Sequence, residues 1–580
     1  MQTTTTLSYR FFFTAVLAVV SFLGASTLTA SADYYSFNNG AGGDGTWQNG
    51  AGGTQWSDGG TQNLDWDNSL NNVAYFGGSG GMVDVANDVT TNYMVFNAGS
   101  DITLNGTGTI NVVTNNEVFE NDTNNNVTID NDIHIDDSAA GDRFDITDNG
   151  ANKLTLNGNI SYTGSLSRSA GLDLIFNAGA NTTIVLNGSY QGSATTPGRL
   201  ELTNGTMYLN GDFTNENAGG SLLAVDAGTA YVNTNNLGTG AIDMYGGGGQ
   251  ATPELLTEGA RTVSEVVGLN YANGGSISGD IVVGGSTANL STFTNINLVV
   301  TGLTLTAVDS GRVDVGSITG NGDISGLIKT GAGTVVLESA STVPVTNGFN
   351  HETPAYVADI QQGTLLINNP SGSAFGSEAG TVMVEAGATL GGNGSVSGQK
   401  VVIAGPATPN GPTGILAPGD AGQSNLGINA SIGVLNLAGN LIAENGLTMD
   451  FKLTPNLDSN YGTPQAGVDN DEIMGAAFTL NGNVTINITS LGGIATGEVY
   501  VLFNAADGVT GSPTFTFNVP TGYALDPDYG RGGTVGYIFS RTGTLSVQFI
   551  AVPEPSSYAM MLGGLALLAF CLRRKVAFAS

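Results

Sequence analysis

Between residues 33 and 552 almost no window of eleven residues carries apolar side chains at the helical spacing i, i+3, i+4, i+7. Short runs rich in Val, Ile, Leu, Thr and Phe take their place, punctuated by Asn-Gly, Asp-Gly and Ala-Gly turns. Tyr93–Phe96, Asp101–Leu104, Lys153–Leu156, Leu172–Phe176, Thr183–Leu186, Thr334–Leu337 and Val484–Ile488 are such runs. Lys153-Leu154-Thr155-Leu156 and Asn483-Val484-Thr485-Ile486-Asn487-Ile488 alternate strictly, so one face of each strand is dry and the other wet. The chain is therefore all-β. Its apolar fraction of 40% argues against disorder, because it supplies enough surface to bury.

Imperfect repetition narrows the architecture. Val95-Phe96-Asn97-Ala98-Gly99 is echoed by Ile175-Phe176-Asn177-Ala178-Gly179, and Leu-Asn-Gly begins at Leu104, Leu156, Leu186, Leu209 and Leu480. The gaps of 52, 30 and 23 residues between the first four suit one or two coils of a β-solenoid. A single coil cannot bury its own apolar face, whereas stacked coils cover one another. Coils of about 20–25 residues, rising about 4.8 Å each, predict roughly twenty layers and a rod on the order of 100 Å long.

Residues 326–337, Gly-Leu-Ile-Lys-Thr-Gly-Ala-Gly-Thr-Val-Val-Leu, and Gln362-Gly363-Thr364-Leu365-Leu366-Ile367 resemble the autotransporter-associated β-strand repeat. Ala386–Gly394 and Leu416-Ala417-Pro418-Gly419-Asp420 look like segments that follow that repeat. The resemblance implies a right-handed parallel β-helix. The expected organisation is a signal peptide at 1–32, a Trp-containing cap at 33–92 and solenoid repeats at 93–440. A β-rich cap at 441–550 and a sorting segment at 551–580 follow.

Both ends read as addresses. Arg10, the apolar run Phe11–Leu23 and the small residues Ala30-Ser31-Ala32 have the order of a Sec signal peptide, cut after Ala32 by signal peptidase. Near the other end stand Val552-Pro553-Glu554-Pro555-Ser556-Ser557, an apolar stretch from Tyr558 to Leu572, and the basic cluster Arg573-Arg574-Lys575. The apolar stretch suggests a short transmembrane helix, and the basic residues put its end in the cytoplasm. Together these residues resemble the PEP-CTERM sorting signal of Gram-negative bacteria that make exopolysaccharide. That resemblance implies an exosortase acting near Pro553-Glu554-Pro555 after transient insertion in the inner membrane. The protein would then reach the surface or the extracellular matrix, with exopolysaccharide as a possible partner. A permanent anchor is the alternative fate of the tail.

Charge and cysteine content exclude several functions. Residues 33–552 hold 11 basic and 47 acidic side chains, a net charge of −36 that repels nucleic acid. Cys571, the single cysteine, lies in the tail, so the body has no disulfide, thiolate metal site or cysteine nucleophile. His134 and His351 are too far apart in sequence to form a metal pair by spacing. Gly40-Ala41-Gly42-Gly43-Asp44-Gly45 matches GxGxxG but follows no strand and opens no helix.

Asp130, Asp132, Asp136 and Asp137, in the acidic run from Asp122 to Asp148, are candidate calcium ligands. The run lacks EF-hand order, and Gly320-Asn321-Gly322-Asp323 is only a fragment of a calcium β-roll repeat, so a solvated acidic face is favoured. Trp47, Trp56 and Trp66 could offer sugar rings a platform, but the expectation preferred here is a cap over the open end of the solenoid. No catalytic residue or cofactor is assigned. The expected function is structural and not enzymatic, with a polysaccharide-binding adhesin as the alternative. A polysaccharide hydrolase or lyase, built from carboxylates on adjacent coils, is the more remote one.

Overall fold

A computed structural model describes residues 34–577, except 52–54, 71, 114–116, 122, 138–142, 149, 165–171, 192–197, 214–215, 247–251, 272–280, 299–301, 321–325, 343–355, 377–379, 409–410, 456–463, 530–535, 541 and 553–554. Alternating residues build it. In Lys153–Leu156, Thr183–Leu186 and Thr206–Leu209 the side chains of Leu154, Leu156, Ile184, Leu186, Met207 and Leu209 are buried in one continuous core. Each strand pairs in parallel and in register with its equivalent one coil later: Leu154 with Ile184, Leu186 with Leu209. Register is fixed because a one-residue slip would turn every buried side chain outward.

Three such faces form the body. The most continuous runs from Gly45–Trp47 to Val509–Asn518 through eighteen strands among the described residues, every neighbouring pair parallel. At the spacing of adjacent strands, eighteen layers measure about 80 Å, somewhat shorter than expected from the sequence. A second face begins at Tyr34–Phe37 and passes through Val73–Gly78 and Met94–Ala98. The third begins at Val89–Thr91, Ile110–Val112 and Ile133–Asp137. In Leu290–Leu298 and Arg312–Gly320 a single long strand serves the third face and then the second, the two pairings separated at Thr294 and Gly316.

The Leu-Asn-Gly repeat now has a physical account. The leucine fills the core. The asparagines stack outside it: Asn187 Nδ2 donates to Asn157 Oδ1 at 2.6 Å, and Asn210 Nδ2 to Asn187 Oδ1 at 2.7 Å. The glycine lets successive corners touch, since a Cβ on Gly188 would stand 1.9 Å from the Gly158 carbonyl oxygen. The 52-residue gap is two coils, because Ile129 pairs with both Leu104 and Leu156. Gly188→Ala is therefore expected to cost about 1–3 kcal/mol, as an overpacked site does, read as a lower urea midpoint.

The parallel ladder reaches into both segments expected to be caps. Tyr34–Ser36 already pairs in parallel with Val73–Tyr75, so the stack includes strands from the segment expected to be a separate N-terminal cap. At the other end Leu447–Leu453, Phe478–Ser490 and Val509–Asn518 continue the parallel ladder through residues expected to form a cap. Their inward side chains repeat the alternation of earlier coils, leaving no break to mark a new module. Antiparallel pairing enters with Thr544–Ala551, which pairs with Val499–Ala505, Tyr523–Leu525 and Tyr537–Phe539. Phe515, Phe517, Tyr537 and Phe539 meet there, with ring centroids 5.0–5.7 Å apart across the two segments. They plug the open core.

Candidate functional site

Residues 555–577 form a helix of 23 residues that includes Pro555, Arg573, Arg574 and Lys575. Ala30, Ala32, Pro553 and Glu554 lie outside the described residues. Met560, Leu562, Leu565, Leu567, Leu568 and Phe570 on this helix are exposed. Among the described residues, however, no helix is long and apolar enough to cross a membrane. The expected transmembrane segment is thus found as a helix and not as a span. The apolar stretch before the basic cluster runs only from Tyr558 to Leu572, fewer than the roughly 20 residues that hydrocarbon requires.

The tryptophans cannot form an exposed sugar platform. Trp47, Trp56 and Trp66 are each 0% exposed. Trp56 packs against Trp66 with centroids 4.6 Å apart, and Trp47 lies 5.2 Å from Trp66. Trp66 Nε1 donates to the Thr90 carbonyl at 3.1 Å. Trp56–Ser57 pairs antiparallel to the first strand and covers its outer edge, which protects it from further pairing.

The candidate calcium ligands are spread over coil corners and strands. Asp130 takes the place of an asparagine in the outer ladder, accepting from Asn157 Nδ2 at 2.6 Å. Asp132 accepts from the Asn159 backbone N–H at 2.7 Å. Asp136 and Asp137 lie on the next strand, in register with Thr163 and Gly164. Among the described residues no three acidic, His or Cys side chains gather to hold a metal. His134 stands 3.0 Å from Ser161 Oγ one coil away, and His351 lies outside the described residues.

The interior holds charged groups that sequence reading missed. Lys329 is 0% exposed, and its strand position pairs with Leu305 and Ile360 of the core. Its Nζ donates to the carbonyls of Thr330, Gly331 and Gln362 at 2.7, 2.7 and 2.9 Å. Burial lowers its ammonium to about 7. Lys452 Nζ lies 2.8 Å from Asp471 Oδ2, and Asp471 also accepts the backbone N–H groups of Gly433 and Lys452. Burial pushes the Asp471 carboxyl up to about 6 against the pull of Lys452, and pushes neighbouring Glu472 up to about 7. The alternation around Lys329 offered one signal, a lysine at an inward position. The Lys452–Asp471 pair gave none, because its register is invisible in sequence. Lys329 and Asp471 satisfy backbone groups inside the stack.

Comparison with known families finds the PEP-CTERM protein-sorting motif at residues 551–575. It covers the tail and leaves the solenoid unassigned. The motif supports export, processing by an exosortase and a surface or extracellular location. No curated protein matches the chain.

Proposed function

We propose that the chain is a non-catalytic structural component of a bacterial surface or extracellular matrix, associated with exopolysaccharide. Its coils resemble autotransporter-associated repeats and are right-handed in this reading. The observation that carries the proposal is a sorting motif joined to a long stack of parallel coils with a strongly acidic surface. Such a body needs no active site to act as a spacer. Burial of the tryptophans weighs against an adhesin that would bind sugar rings through them.

In this reading the tail enters the inner membrane transiently, and the exosortase cuts near Pro553–Pro555. Replacing Arg573, Arg574 and Lys575 with Gln tests the step in cells that carry an exosortase. The expected result is retention of the C-terminal segment in the protein's mass and loss of surface material. Wild-type mass and placement would defeat a role for the basic cluster.

A further inference from the structure

On the third face, Asp314, Val336, Leu366, Gly391 and Ala417 stand in register on successive coils. They alternate with the core residues Val313, Val335, Leu365, Leu390 and Leu416, so these positions face outward. Val336 and Leu366 are nevertheless only 0% and 2% exposed. Residues 419–433 leave the stack after Ile415–Pro418 and fold into a hairpin arm closed by the bridges Asp420–Ser431 and Gln423–Ile428.

The base of the arm is held by paired hydrogen bonds between Gly392 and Gly419, at 2.8 and 3.1 Å. Its far end reaches a coil about a hundred residues earlier in sequence. Asn425 Nδ2 donates to the Ser310 carbonyl at 3.0 Å, and Gln423 Nε2 to the Gly311 carbonyl at 3.4 Å. Arg312 completes the attachment. Its Nη1 lies 2.6 Å from Asp420 Oδ2 and its Nε 2.7 Å from Asp314 Oδ1, with the side chain 7% exposed. An arm fixed at Gly392 and at Ser310 must cross the coils of Leu366 and Val336 that lie between.

We propose that residues 419–433 form a releasable clasp, fastened by Arg312, which covers an outward apolar stripe at Val336 and Leu366. The parallel pairing of the strands beneath is made without residues of the clasp. Opening is thus a local event that exposes the apolar side chains of Val336 and Leu366.

Arg312→Gln and the milder Asp420→Asn test the clasp in the full chain. With a broad-specificity protease, both variants should be cut within 421–430 at least about tenfold faster than wild type, as a locally opened segment is. Both should also bind a fluorescent apolar dye while keeping the β-sheet circular dichroism. Ser310→Cys with Asn425→Cys, oxidised in the Arg312→Gln background, should restore resistance. Protection equal to wild type in both variants would overturn the proposal. Cleavage spread across the whole body in both would do the same, since it would make Arg312 a general stabiliser.

Discussion

Lys452→Ala is expected to destabilise the C-terminal third of the stack by about 3–5 kcal/mol, the usual effect of removing one partner of a buried ion pair. Asp471 is 0% exposed, and the substitution leaves it charged with only two backbone N–H groups as partners. The loss should appear as an earlier transition in urea, with hydrogen exchange rising first around 433–475. Acid should relieve it. Without the pull of Lys452 the Asp471 carboxyl stands higher than in the wild type, so as pH falls the orphaned group takes a proton and the deficit narrows. A deficit independent of pH would show that packing of the lysine stem, and not its charge, stabilises this region.

The whole protein is expected to be least stable near neutrality and to gain stability as pH falls toward 5. Asp148, Asp314, Glu338, Glu385, Asp450, Asp471 and Glu472 all have carboxyls raised by burial. Each binds a proton more readily folded than unfolded, so the stabilisation is present in acid and is lost as pH rises through the folded value. For Glu472, raised from 4.5 to about 7, the difference is on the order of 3 kcal/mol. Lys329 acts in the opposite window. Its folded value of about 7 lies below its ordinary 10.5, so stability recovers as pH rises between the two. Thermal midpoints from pH 4.5 to 9.5 should trace a shallow minimum near pH 7. Glu472→Gln should flatten the acid limb, and a steady fall toward acid in the wild type would refute the account.

Much of this architecture was legible because its determinants are local. Leu154, Leu156, Ile184 and Leu186 announce a dry face by alternation, and Leu-Asn-Gly marks the corner where Asn157 and Asn187 stack. The extent of the stack was harder to read. Val484, Ile486 and Ile488 alternate identically whether their strand lies in a solenoid or in a cap, and only its neighbours decide. The charged interior required register as well. Arg312 and Asp420 are 108 residues apart in sequence, and nothing near either residue indicates the other. Asp130 was misleading for the same reason: its role comes from Asn157 on the next coil, not from the acidic residues beside it.

The parallel stack also determines how the molecule answers force. Its interstrand hydrogen bonds point along the long axis, so tension between the two ends puts the full load on the bonds of every layer, and the outermost layer, held from one side only, gives way first. Such a body should yield by peeling from an end. The coil between Leu186 and Leu209 contains 23 residues, which on full extension supply roughly 70 Å of slack from a layer less than 5 Å thick. Each detached coil would dissipate work while its neighbours remain folded. The same hydrogen bonding that holds the coils in a stack at rest would make the chain a graded shock absorber under flow.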